Sequence, residues 1–242
     1  MDITRICMWS GPRNISTALM YSFRERQDTT VVDEPLYAHY LSTTGIWHPG
    51  RPETLASQDN DGESVVRNEI LGPSPTPVIF FKQMAHHLVG LDWSFLDYVT
   101  NVILTRHPAQ VLASFTKNVP DVDADTTGLP ICIKLIDRIL ESGQTPIVID
   151  SKELLTGPAS VLGKLCEAIG LDYDPGMLSW EAGPVPEDGS WGAYWYHSTH
   201  RSTGFAPYVP KDVTLADQVQ SIVDECLPMY ERLLEYALRA DA

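Results

Sequence analysis

Two short stretches carry residues spaced for gripping anions. "MWSGPRNISTALMYSF" (8–23) passes from an apolar run through Gly-Pro-Arg-Asn-Ile-Ser-Thr into an amphipathic segment. That order spells strand, tight loop, helix. A helix amino terminus offers unpaired N–H groups and the positive end of the helix dipole. Ser16 and Thr17 add hydroxyl donors, and Arg13 adds a planar fork that can hold two oxygens of one anion. A well-capped helix with a solvated Arg13 would look the same, so the loop alone leaves both readings open. It is not a Walker A sequence: counted from Gly11, Ser16 and Thr17 stand where GxxxxGK[ST] needs glycine and lysine. The second stretch, "NVILTRHPAQVLASF" (101–115), ends a strand on Arg106 and starts a helix at Pro108, where a missing N–H costs nothing. Ser114 follows eight residues after Arg106, about two helical turns in.

The rest of the chain limits what these cations can serve. Over 242 residues, 17 Lys and Arg face 32 Asp and Glu, a formal net charge of −15. That balance argues against general binding to nucleic acid or to polyanionic sugars, so an anionic ligand must find a local cationic pocket. Cys7, Cys132, Cys166 and Cys226 lie far apart with no CxxC pair. Buried free thiols and a reducing, cytoplasmic location are expected. No apolar run reaches the length of a membrane span, and "MDITRICMWSGP" lacks the regions of a signal peptide. No His, Cys or Asp cluster has metal-ligand spacing, so no metal is expected.

The elements that must position the anion loops read as strands at 3–10, 29–34, 76–82, 100–106 and 145–150. Helices are expected at 14–26, around 62–71, at 128–142 and at 158–170. A last helix carries the stripe Val219, Ile222, Val223, Leu227, Tyr230, Leu233, Leu234 and Leu238, with a kink at Pro228. Residues 35–75 otherwise read as irregular, and 172–213 as a long ordered loop rich in Pro, Gly and Trp. Short apolar strands alternating with helices predict one α/β domain over 1–242, with a central parallel sheet of about five strands. Ligands in such sheets bind beyond the carboxyl ends of the strands. The residues there are Ser10–Thr17, Asp33–Glu34, Lys82, Arg106 and Asp150–Ser151.

Taken together, "PRNIST" and "RHPAQVLAS" resemble the two phosphate grips of the sulfotransferases that use 3'-phosphoadenosine 5'-phosphosulfate (PAPS). "TPIVIDSKELLTGPASVLGKLCEAIGLDYD" is similar to a third segment of that family. The match spans roughly residues 5–35 and 76–174. "MWSGPRNISTALMYSF" with "VVDEPLYAHYL" is similar to a branch associated with branched-chain aminotransferase-like proteins. The resemblance implies a P-loop NTPase-like three-layer sandwich and PAPS as donor, with no metal. It implies that Arg13, Asn14, Ile15, Ser16 and Thr17 hold the 5'-phosphosulfate, and that Arg106 and Ser114 hold the 3'-phosphate. Arg201 and Ser202, in "HRSTGFAP", take the part of a basic loop closing over the nucleotide. Ile15 stands where the family usually has glycine. A β-branched residue resists positive φ and close approach, which leaves the loop to present its amides in helical geometry. Ser151 sits where many members place an aromatic residue near the adenine.

The implied reaction moves a sulfuryl group in line from a phosphate leaving group to a hydroxyl or amine of a small organic acceptor. Positioning and charge stabilisation do most of such work. Arg13 would stabilise the leaving phosphate, Lys82 would contact the sulfuryl oxygens, and Glu34 would be the base. More plainly, Asp33 and Glu34 could just end a strand before Pro35. His86, or His87 beside it, is the rival base. The insertion at 35–75 and the loop region 172–213 would shape the acceptor pocket, with Tyr37, His39, Trp47, Trp191, Tyr194, Trp195 and His197 as aromatic lining or as a satellite core. Two other readings stand beside this one. One is a kinase-like transfer, opposed by the missing Walker lysine. The other is a non-catalytic nucleotide-binding or interaction protein of the same fold, for which Ile15 speaks.

Overall fold

The computed structural model describes residues 3–116, 122–210 and 215–241. In chain order the elements are β1 Thr4–Ser10, α1 Ser16–Arg24, β2 Thr29–Asp33, α2 Tyr37–Thr44, α3 Arg51–Ser57, α4 Gly62–Val65, β3 Val78–Met84, β4 Thr100–Thr105, α5 Pro108–Phe115, α6 Leu129–Glu141, β5 Ile147–Asp150, α7 Ser151–Thr156, α8 Pro158–Ala168, α9 Gly192–Trp195, α10 Asp217–Leu234 and β6 Ala237–Leu238. The strands form a six-stranded sheet in the order β2-β3-β1-β4-β5-β6. Pairing is parallel in β2/β3, β4/β5 and β5/β6. β3 is buried along its whole length and β1 along its last five residues, as a sheet covered on both faces requires.

The chain groups into two compact units. One comprises Met1–Met8, Thr17–Thr100 and Asp174–Phe205. Here the parallel register sets Asp33 opposite Lys82 at the carboxyl ends of β2 and β3. The core includes Phe23 stacked on Phe80, with ring centroids 4.1 Å apart. Residues 35–75 are more regular than the sequence suggests. α2 buries Tyr37, Ala38, His39 and Leu41 and ends on Gly45, whose φ of 69° suits glycine. α3 follows, and α4 continues into a π-helical turn at Val66–Ile70. The Ser-Thr-Thr-Gly signal in its last turn and the His-Pro-Gly signal just beyond hid α2, which is only eight residues long. Residues 172–210 are mostly irregular, broken by α9 and by short 3₁₀ turns at Pro175–Leu178 and Thr199–Arg201; the rest of that expected loop, 211–213, lies outside the described residues.

The other unit comprises Trp9–Ser16, Asn101–Tyr173 and Ala206–Ala242. α6 buries Leu129, Cys132, Leu135, Ile136 and Ile139, a stripe at helical spacing. α10 buries Val223, Cys226, Tyr230 and Leu233 and runs through Pro228. It stops at Leu234, so Leu238 belongs not to the expected helical stripe but to β6, a sixth strand two residues long. Two residues are too short for alternation to show in sequence. All four cysteines are buried, and none is joined in a disulfide.

Candidate functional site

Arg13, Asn14, Arg106 and Ser114 come together in the second unit, around the loop that leaves β1. The Arg13 Nε donates to Ser114 Oγ at 3.0 Å. One terminal nitrogen of Arg106 donates to the Arg13 carbonyl at 3.0 Å, and its Nε donates to Gln110 Oε1 at 3.0 Å. Asn14 Nδ2 reaches the Leu104 carbonyl at 3.3 Å, while its buried Oδ1 has no hydrogen-bond partner among the described residues. Ser151 Oγ bonds the carbonyls of Thr105 and Asn14 at 2.7 and 3.1 Å. Ser151 thus ties β4 and β5 to the loop instead of offering a face to a ligand. Ser16 and Thr17 open α1, both buried.

The loop backbone differs from the sequence expectation. Ile15 has φ of 62° and Arg13 of 63°, with Asn14 at negative φ between them. The branched side chain does not hold residue 15 in helical geometry; the surrounding bonds from Arg106, Ser151 and Asn14 over-determine the turn. Alternating signs of φ are the mark of a nest, in which successive backbone N–H groups converge on an anion. Burial, and then the neighbouring charge of Arg13, hold Arg106 below the usual guanidinium range. An anion between the two cations would relieve that repulsion.

A second cluster lies within the first unit. Lys82 Nζ, almost fully buried, donates to Asp33 Oδ1 at 2.8 Å, to Tyr196 Oη at 2.6 Å and to Glu34 Oε1. Its three hydrogens are thus engaged, and contact with a sulfuryl oxygen requires one partner to be exchanged. Glu34 is buried at φ of 41°, with its N–H on the Lys82 carbonyl at 2.8 Å. Burial pushes the Glu34 carboxyl up, Lys82 opposes that shift, and Asp33 adds to it. For Lys82, burial works against the charged form and the two carboxylates outweigh it, so its pKa rises. His87 Nε2 stands 4.0 Å from Glu34 Oε2, and its ring stacks on Tyr37 with centroids 4.8 Å apart. Burial keeps His87 neutral, so two carboxylates face one ammonium.

His86 is partly buried at an angle to Tyr40, and burial with His48 nearby pushes it down to about 4. Between pH 6.5 and that value the unfolded chain takes up a proton that the folded chain refuses, so stability falls as pH falls. His86→Gln should shrink the loss of unfolding free energy between pH 7 and pH 4.5 by about 1–3 kcal/mol, read from denaturant unfolding at the two pH values. Equal pH slopes for both proteins would contradict this.

Arg201 is exposed on its 3₁₀ turn. Ser202 Oγ is occupied, accepting from Trp180 Nε1 at 3.1 Å and donating to the Thr199 carbonyl at 2.7 Å. Of the candidate acceptor aromatics, Tyr37 and Trp191 form a buried cluster with Leu41 and Tyr196, against which Trp195 packs. His39 is buried, with Nε2 on the Val89 carbonyl at 2.8 Å. Trp47 and Tyr194 are exposed. Sequence reasoning missed Tyr196, the hub of the lysine cluster, although it lies among the aromatics of "WGAYWYHSTH". It also missed Gln110, whose place four residues after Arg106 on a helix start was a usable signal. Among the described residues no group of three or more His, Cys, Asp or Glu could hold a metal ion, and no helix is long and apolar enough to cross a membrane.

A parallel sheet flanked by helices, with Arg13 and Arg106 in the loops beyond its strand ends, defines an α/β protein of the P-loop-like class. The chain belongs to the sulfotransferase domain family, whose profile matches residues 4–237. It is 38% identical over 226 residues to the branched-chain-amino-acid aminotransferase-like proteins 2 and 1 of Arabidopsis thaliana, matching 93% of this chain. The chain spans about two-fifths of the length of those relatives, 40% in each case. In fold it is similar to the sulfotransferase domain of the Synechococcus PCC 7002 olefin synthase, at TM-score 0.52 and 16% identity over 93% of this chain and 95% of that one. It is also similar to a sulfotransferase from Alicyclobacillus acidocaldarius, at TM-score 0.54 and 10% identity over 98% of each chain.

Proposed function

We propose that this chain, acting as a single sulfotransferase domain, transfers a sulfuryl group from PAPS to a hydroxyl or amine of a small organic acceptor. The observation that carries the reading is the joining of Arg13, Arg106 and Ser114 around a backbone nest. Cationic forks and convergent N–H groups suit a ligand with more than one phosphate-like end. Arg13, with the amides of Asn14 through Thr17, would hold the 5' end, and Arg106 with Ser114 the 3'-phosphate. PAPS supplies an activated sulfuryl group on a phosphate leaving group. Glu34 accepts the acceptor's proton through Oε2, the oxygen that Lys82 leaves open, and Lys82 keeps that carboxylate ionised. Residues 35–75 and 172–213, with Arg201 and Ser202, shape the acceptor side. We read the location as cytoplasmic, on four buried cysteines that form no disulfide.

Calorimetric titration with PAP, the desulfated donor, tests the donor. Micromolar binding supports the proposal. A preference for ATP with magnesium supports a kinase-like enzyme, and no nucleotide binding supports an interaction protein. Arg106→Ala removes a charge-assisted contact of roughly 1.5–3 kcal/mol. It should weaken PAP more than adenosine 5'-phosphate, and equal weakening of both would remove Arg106 from the 3'-phosphate.

A further inference from the structure

We propose that Tyr196 is a positioning residue: its hydroxyl, bonded to Asp33, keeps the Lys82 ammonium turned toward Glu34. The inference rests on the reading of Glu34 as base. A phenol hydroxyl has one hydrogen to give. Tyr196 Oη accepts from Lys82 at 2.6 Å and from Trp191 Nε1 at 2.8 Å, so its hydrogen goes to the nearer carboxylate, Asp33, whose two oxygens lie 2.8 and 3.0 Å away, against 3.5 Å to Glu34 Oε1. The Gly189 N–H also donates to Asp33 Oδ2, at 3.0 Å.

Asp33 and Glu34 compete for one buried cation. Each hydrogen bond that Asp33 receives from elsewhere reduces its demand on Lys82. Tyr196 also closes the third side of the ammonium, with Lys82 Nζ over its ring, 4.9 Å from the centroid. Without the hydroxyl, Asp33 draws Lys82 to itself and Glu34 holds its proton to higher pH. The groups facing Glu34 are Lys82 on β3, Asp33 on β2, His87 in the 3₁₀ turn after β3, Tyr37 on α2 and Tyr196 after α9. Of these only Tyr196 touches Lys82 and Asp33 at once while being uncharged, since burial raises its own pKa well above 10.

The test titrates Glu34 directly, in protein carrying ¹³C at the glutamate carboxyl carbons, with the signal assigned by its loss in Glu34→Gln. In Tyr196→Phe the midpoint should rise by roughly 0.5–1 pH unit. In an Asp33→Asn background the same change should move it far less, because the hydroxyl has lost its charged acceptor. Melting curves and PAP titration establish that each variant is folded. An unmoved midpoint in folded Tyr196→Phe, or an equal shift in both backgrounds, overturns the inference. If Tyr196→Phe does not fold, the difference between Trp191→Phe and wild type reads the same hub with the hydroxyl kept. Freed of one donor, the hydroxyl then holds Lys82 more tightly, and the midpoint should stay within about 0.3 unit; a large rise overturns the inference. Undiminished transfer by Glu34→Gln sinks the base assignment instead, and leaves the titration result standing.

Discussion

Replacing Glu34 with Gln is expected to slow transfer by roughly 10²–10⁴-fold, the range for loss of a general base, with PAP affinity little changed. The amide keeps the side-chain shape, and its carbonyl can still accept from Lys82. It cannot accept a proton. The position holds its carboxyl in a costly place: buried, beside a second carboxylate, on a backbone at φ of 41°. Positions that hold a strained residue this way are where function is sought. His86→Asn and His87→Asn should cost far less, because burial keeps both rings from carrying a proton near neutrality. Single-turnover transfer from radiolabelled PAPS, with an acceptor found by screening, compares the three. Near-normal transfer by Glu34→Gln beside a dead histidine variant that still binds PAP would give the role to that histidine.

Gly11→Ala should be the most damaging change in the loop that follows β1. A Cβ there would lie 1.8 Å from the Thr127 carbonyl oxygen, and the reciprocal Cβ on Gly128 would lie 2.7 Å from the Gly11 Cα. Two backbones meet at that point, so no side chain can turn aside. Displacing either should cost about 3 kcal/mol, the upper end for overpacking, and lower the melting temperature by about 6–12 °C. PAP affinity should fall with it, since the loop must move. Gly163→Ala in α8 is the control, because a Cβ there meets nothing within 4 Å. That change should be neutral or add about 0.5–1 kcal/mol. A Gly11→Ala protein that melts like wild type and binds PAP normally would mean that the loop needs no such close approach.

β1 to β5 were legible because each is a short, largely apolar run with a polar residue at or near its carboxyl end; β6, two residues long, was not. The pairing of Arg106 with Ser114 was legible because the two keep helical spacing around a proline-marked start. What stayed hidden depends on contacts between distant segments. Tyr196 carries no spacing signal; it matters because its hydroxyl meets Asp33, 163 residues away. The left-handed turn at Ile15 runs against side-chain preference, and only the bonds made by Arg106, Ser151 and Asn14 account for it. Ser151 read as a missing adenine contact, yet its hydroxyl is spent on the backbone of β4 and of the loop.

Arg13, Ile15 and Glu34 are the non-glycine residues with positive φ among the described residues. Each conformation costs about 1–2 kcal/mol, a burden that is large against a total stability of about 5–15 kcal/mol. A lineage of this chain bred for endurance to heat alone would therefore exchange these residues for glycine or asparagine early. It would end with sturdier molecules that have lost a guanidinium and a carboxylate. Breeding for heat and for ligand retention together would hold positions 13 and 34 and release only 15. Which of the three positions drifts, and under which regime, would separate strain kept for chemistry from strain merely inherited.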